Sequence, residues 1–221
     1  LSSLGDLAAS PLVIVTYDRW REEAVRRASS EHPLSLLLIS ERSSASEVIA
    51  ETLRWLDKER QSGHIEASHS EKSGQIHPTA QIHPTAQIHP TAQIGSFCVI
   101  EERVIIEAEA ELAPYCYLGR GVHIGARAKL DPRVTIFDRC SIASAAHIYT
   151  GAVIGSQGFG IDERGQIPHL GAVSIGRGAR IGALNCIDRA SLGVTEVGDN
   201  AQLDNLVQVG HNAKIGRGSV I

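Results

Sequence analysis

At 221 residues with 43% apolar content, the chain can bury the core of one or two domains, which argues against wholesale disorder. A formal net charge of -4 with basic residues scattered along the chain leaves no electrostatic footprint for nucleic acid. The longest apolar runs, such as Leu36 to Ile39, fall far short of the ~20 residues of a membrane-spanning helix, and no signal peptide opens the chain, so a cytoplasmic protein is expected.

Numbering begins at Leu1 and the chain holds no methionine, so further N-terminal sequence is expected. Residues 1–61 read as a small α/β domain. "PLVIVTY" is a short β-branched strand, ended by Asp18, which caps the charged helical stretch "RWREEAVRRAS". "PLSLLLIS" is a second buried strand. In "SASEVIAETLRWLDKER", Ser44 and Glu47 stand at capping-box spacing, and Ile49, Leu53 and Leu56 share a helical face. Residues 62–74 are polar and aperiodic, a linker in which His64 and His69 are solvated.

From "QIHPTAQIHPTAQIHPTAQIG" onward the period becomes six. Every sixth residue from Ile76 to Ile154 is aliphatic, and the residue four places after each is small: Ala80, Ala86, Ala92, Cys98, and so on to Ala152. An aliphatic residue and the one two places before it share a face of a short strand, and the rest of each hexad makes a corner. Three strands then close a triangular coil of 18 residues, and stacked coils bury two columns per face. The expected domain, residues 75–221, is a mainly β parallel β-helix of hexapeptide repeats. The phase breaks after Ile154, returns at Ile175, Ile181 and Ile187, breaks again, and returns from Val197 to Ile221.

This register assigns several chemically suggestive residues. His77, His83 and His89 fall on three different corners and cannot share one ion within a chain, whose donors must all lie ~2 Å from it; no metal is expected. Of the four cysteines, which form no CxxC pair and suit a reducing compartment, Cys98, Cys116 and Cys140 point inward as small hydrophobes. Cys186 points outward, and Asn185, facing inward, calls for hydrogen-bond partners, best met by a side-chain ladder. The first break, "GSQGFGIDERGQIPHLG", is glycine-rich and carries Phe159 between two glycines; it matches neither a P-loop nor a dinucleotide fingerprint. "RASLGVT" forms the second. In "QLDNLVQVGHNAKIG", Asp204, Asn205, His211 and Asn212 fall within two hexads, and a histidine near amide and carboxylate groups can act as a general base.

The ordered set "IHPTA", "GAVIGSQGFG", "IPHLGAVSIG", "IGALNCIDRASLGVT" and "LDNLVQVGHNAKIG" resembles the UDP-3-O-(3-hydroxyacyl)glucosamine N-acyltransferases of lipid A biosynthesis, within the left-handed β-helix superfamily, over residues 76–221. The resemblance implies a left-handed coil, a homotrimer with active sites between solenoids, and 3-hydroxyacyl transfer from acyl carrier protein to the glucosamine 2-amine of a UDP-sugar. No cofactor is implied beyond the carrier's thioester. It makes His211 the catalytic base, sets Asp204 and Asn205 beside it as substrate-binding residues, and puts Phe159 and Gly160 at the border of the cleft. Residues 11–40 are faintly similar to the family's uridine-binding domain, with Tyr17 and Trp20 as stand-ins for its stacking aromatics. Three departures stand out: Ala190 replaces the glycine of "IDRG", the first loop is short, and Ile221 ends the pattern without a cap. The family supplies its oxyanion amide one coil above the base, so low activity is expected of these 221 residues alone. Competing readings are a sugar N-acetyltransferase using acetyl-CoA, a γ-class carbonic anhydrase, and a non-catalytic assembly solenoid.

Overall fold

The structure is a computed structural model that describes residues 13–17, 35–39, 54, 75–163 and 165–221. The chain divides into two units, Leu1–Ser70 and Glu71–Ile221. In the first, both expected strands are present: β1 (Val13–Tyr17) and β2 (Ser35–Ile39) pair in parallel, with Val13 opposite Ser35. Arg54, inside the second predicted helix, is helical. Asp18, Trp20, the Ser44–Glu47 box and the 62–74 linker lie outside the described residues.

The second unit is the expected parallel β-helix of hexapeptide repeats, with three parallel sheets of seven, seven and six strands. On face 1, Ile82, Ile100, Leu118, Ile136, Ile154, Ile187 and Val209 lie in register from coil to coil. Face 2 stacks Ile88, Ile106, Ile124, Ile142, Ile175, Val197 and Ile215. Face 3 stacks Ile94, Leu112, Leu130, Ile148, Ile181 and Leu203. Strands of two residues are enough here because each hydrogen-bonds to the strands of the coils above and below, so backbone groups are satisfied by stacking. The predicted phase survives both interruptions: Ile154 pairs with Ile187 and Ile187 with Val209, the inserted residues bulging out at a corner without shifting the column.

The repeated word has a local mechanical meaning. In the first coil the Nδ1 of His77, His83 and His89 bonds the hydroxyl of Thr79, Thr85 and Thr91 at 2.9 Å. Each threonine oxygen in turn accepts a backbone N–H of the next coil, from Phe97, Arg103 and Glu109, at 3.0 Å. Those three donors have φ of 58°, a left-handed conformation that most later corners repeat with non-glycine residues. That conformation is disfavoured for a residue with a Cβ, and the bond to the coil below holds it in place. The three histidines occupy three successive corners and serve turns.

The inward columns are almost entirely closed to solvent. Cys98, Cys116 and Cys140 sit among them as free, buried thiols. A hydrogen bond with Cys98, then burial, pushes the Cys116 thiol up, and burial does the same at Cys140, so both remain protonated packing groups. Asn185 is fully buried, but it forms no ladder. Its Oδ1 accepts the Val207 N–H at 2.6 Å while its Nδ2 has no partner among the described residues.

Outside the columns, Glu107 binds His123 Nε2 at 2.8 Å through one oxygen and accepts the Ala126 N–H at 3.0 Å through the other. The His123 bond first, and the Ala126 amide second, hold its carboxyl below the ordinary range. A depressed folded value means stability that is present above the unfolded carboxyl's value of about 4.3 and is lost as pH falls through the folded value. Glu107→Gln should therefore lower the melting temperature modestly near neutrality, with the gap closing in acid. A gap that widens as pH falls would contradict this linkage.

Candidate functional site

The corner between faces 1 and 2 carries both interruptions and His211, stacked on successive coils. The first loop leaves the strand Val153–Ser156 at Gly155, whose φ of 84° and lack of a side chain are both required, since a Cβ there would collide with Cys140 Sγ. It forms a small antiparallel hairpin from Ile161–Asp162 and Gly165–Gln166. Ile167 N–H then closes onto Gly160 O at 2.8 Å before the chain rejoins the solenoid at Ala172–Ile175. The base of the loop is pinned by side chains. Ser156 Oγ and Gln208 Nε2 donate to the buried Asp188 carboxylate at 2.7 and 2.8 Å, and Arg189 Nε donates to Gly155 O at 2.7 Å. Cys186 is half-buried on the outer surface of face 1, 3.1 Å from Ser156 Oγ, inside this network.

The second loop follows Cys186–Asp188 and precedes Val194–Val197. Its backbone holds the first loop, with Leu170 N–H donating to Ser191 O and Gly171 N–H to Ala190 O, both at 2.9 Å. Gly171 tolerates no side chain, because a Cβ would lie 2.5 Å from the carbonyl oxygens of Ala190 and Gly193. The second loop also anchors Asn212. Buried Thr195 accepts the Asn212 N–H at 2.9 Å, Leu192 O accepts from Asn212 Nδ2 at 3.0 Å, and Asn212 Oδ1 accepts the Ser191 N–H at 3.0 Å. Asn212 is thereby fixed at φ 62°.

That fixed amide orients His211. Asn212 Oδ1 lies 3.1 Å from His211 Nδ1, with Ser191 Oγ a further 3.4 Å neighbour. Because an amide oxygen only accepts, Nδ1 carries a proton, and in the neutral ring the lone pair a general base needs then lies on Nε2. The ring is exposed, so a substrate can reach it.

Against His211 stands a residue to which sequence reasoning gave no role. His169, only 3% exposed, places its ring edge-on to that of His211, with centroids 4.7 Å apart and planes at 61°. Its Nδ1 lies 3.0 Å from Ile167 O and so donates to it. The first loop's glycines make room for this ring: a Cβ at Gly158 would come within 3.1 Å of His169 Nε2, and one at Gly160 within 3.3 Å of its Cε1. The available signal was a histidine set between Ile167 and Leu170 in "IPHLG", an unusual setting for a solvated side chain.

The other sequence-predicted residues separate. Phe159 is 83% exposed and projects from the loop, and Gly160 lines the His169 ring. Asp204 and Asn205 lie on the preceding corner, between faces 3 and 1, a full strand before His211. The hydrogen-bond partners of His211 are instead Ser191 and Asn212. Asn205 Oδ1 is engaged in the fold, accepting the Ala183 N–H at 2.7 Å. A methyl at Gly182 would strike the Asp204 backbone at 2.5 Å, so these two coils pack as tightly as backbone allows. Among the described residues no cluster of histidine, cysteine and carboxylate side chains is arranged to hold a metal, and no helix is long and apolar enough to cross a membrane.

No protein-family model matches the chain. Curated proteins do match. A UDP-3-O-acylglucosamine N-acyltransferase of Coxiella burnetii is 42% identical over 154 residues, 67% of this chain and 45% of that protein. The Herminiimonas arsenicoxydans protein of the same name is 45% identical over 104 residues, 45% of this chain and 30% of its own length. A Legionella pneumophila UDP-3-O-acylglucosamine N-acyltransferase 2 is 55% identical over 84 residues, 36% of this chain and 24% of that protein. The chain is homologous to UDP-3-O-acylglucosamine N-acyltransferases. It spans less than half the length of these relatives. Among solved structures, the Francisella novicida UDP-N-acetylglucosamine acyltransferase is 31% identical with a TM-score of 0.48, covering 65% of this chain and 46% of that one.

Proposed function

We propose that the protein is an N-acyltransferase that moves a 3-hydroxyacyl group from acyl carrier protein to the 2-amine of a UDP-3-O-acylglucosamine, a step of lipid A biosynthesis. The observation that carries this reading is the His211 imidazole, exposed and with its Nδ1 edge turned to Asn212 Oδ1 at 3.1 Å, on a chain homologous to enzymes named for this reaction. The amine nitrogen adds to the thioester carbonyl and His211 Nε2 takes the proton it sheds. As the tetrahedral intermediate collapses the carbon–sulfur bond breaks, and the imidazolium returns that proton to the departing thiolate. A new amide and a free carrier thiol result.

The surroundings suit an acylated substrate. Both loops beside His211 expose apolar side chains, Phe159, Ile161 and Leu170 from the first and Leu192 from the second. In this reading Phe159 and Gly160 border the acyl or sugar path. Asp204 and Asn205 bind substrate from the other end of face 1 or from a neighbouring subunit of a homotrimer, with Asn205 Nδ2 the amide group left to meet a ligand.

Incubating the purified protein with 3-hydroxyacyl carrier protein and UDP-3-O-acylglucosamine should yield an N-acylated sugar and one carrier thiol per amide formed. Amide product from acetyl-CoA with none from the carrier thioester would replace this reading with that of a sugar N-acetyltransferase.

A further inference from the structure

The geometry points to His169 as a positioning residue for His211, and to the glycine-rich loop as the device that seats it. The inference rests on reading His211 as the base. Three observations carry it. First, an imidazole that is 97% buried in a surface loop is costly unless its polar atoms are used, and His169 Nδ1 is used by its own loop, donating to Ile167 O at 3.0 Å. Second, the free edge of the loop is shaped around this ring: Gly158 and Gly160 are the residues whose side chains would fill its space, and the Gly158 methyl would also lie 3.3 Å from His211 Cβ. Third, the loop is fastened on both sides of His169, by Ile167 N–H to Gly160 O, by Leu170 N–H to Ser191 O, and by Arg139 donating to Leu170 O at 2.7 Å.

His211 itself is exposed and has one firm hydrogen bond, so hydrogen bonding alone leaves its ring free to rotate. The His169 ring, packed edge-on with its centroid 4.7 Å from that of His211, supplies a wall against that rotation. A ring flip at His211 would exchange Nδ1 for a carbon at Asn212 Oδ1 and turn the lone-pair nitrogen away from the substrate side. Holding the ring against this keeps Nε2 where a proton must be received, and small displacements of such a group cost up to ~10²-fold in rate.

The test compares His169→Ala and His169→Phe with the parent protein. Histidine ring ¹⁵N correlation spectra, recorded without substrate, should show His211 as a single Nδ1–H tautomer in the parent, a mixture in His169→Ala, and largely the parent form in His169→Phe, which keeps a flat ring edge. In the acyl-transfer assay kcat should fall ~10- to 100-fold in the alanine variant with KM little changed, and recover in large part with phenylalanine. An unchanged His211 tautomer and unchanged kcat in His169→Ala would overturn the inference, as would a phenylalanine variant no better than alanine. The two readings fail separately. If His211→Ala leaves transfer intact while His169→Ala still scrambles the tautomer, the base assignment falls and the positioning role stands.

Discussion

Replacing His211 with alanine should lower kcat/KM for N-acyl transfer by ~10²- to 10⁴-fold, the range that a positioned general base contributes. The melting temperature should be nearly unchanged, because the ring is exposed and its hydrogen bonds are to Asn212 and Ser191, which keep their own backbone partners. That separation is what makes the variant informative: a loss of activity with the fold intact locates the chemistry, whereas a loss of both would not. The loss should fall mainly on kcat, since the imidazole receives a proton that exists to be transferred only as the amine adds. A decrease smaller than about tenfold would sink the base assignment and return the solenoid to a binding or assembly role. Asp204→Asn is a useful contrast. Within one chain Asp204 stands on a different corner from His211, so its effect, if it binds substrate, should appear in KM.

Ile136→Ala should cost ~2–5 kcal/mol, the largest stability effect expected of a single truncation in this fold. Ile136 is fully buried in the middle of the face 1 column, in register with Leu118 below and Ile154 above. Removing its side chain deletes packing on two coils at once, and the short strands cannot collapse into the gap because hydrogen bonds to both neighbouring coils hold their spacing. At ~2–4 °C per kcal/mol for a chain of this size, the melting temperature should drop by about 4–20 °C. Ile105→Ala, at a strand position 41% exposed, is the control and should change stability far less. Equal effects at the two positions would mean that the inward column is not the principal source of stability. Because each coil contacts only its neighbours, hydrogen exchange in Ile136→Ala should rise most in the coils on either side of residue 136 and least at the ends of the solenoid.

How far the sequence alone reached follows from how the fold is built. A hexapeptide solenoid is nearly one-dimensional, so the position of Ile124 or Cys140 relative to the core depends only on its place in the count of six. The inward columns, the packing role of the three thiols and the corners of His77, His83 and His89 were all legible in that count. Both interruptions were legible too, as places where the count failed and resumed. What the count could not carry was the path of the residues that broke it. The meeting of His169 with His211 joins positions 42 apart in the chain through a hairpin whose course depends on Gly155, on the Asp188 network and on hydrogen bonds to the second loop. None of these has a period. The same holds for the grip of Ser191, Leu192 and Thr195 on Asn212, which turned a histidine with polar neighbours in sequence into one with a defined tautomer. Asn185 marks the remaining gap: its inward position was read correctly, but whether a buried amide finds one partner or several is decided by the atoms packed around it in the finished coil. Periodic burial determined the scaffold because every coil repeats the same local choice. The site had to await the tertiary structure because it is built where that repetition is broken.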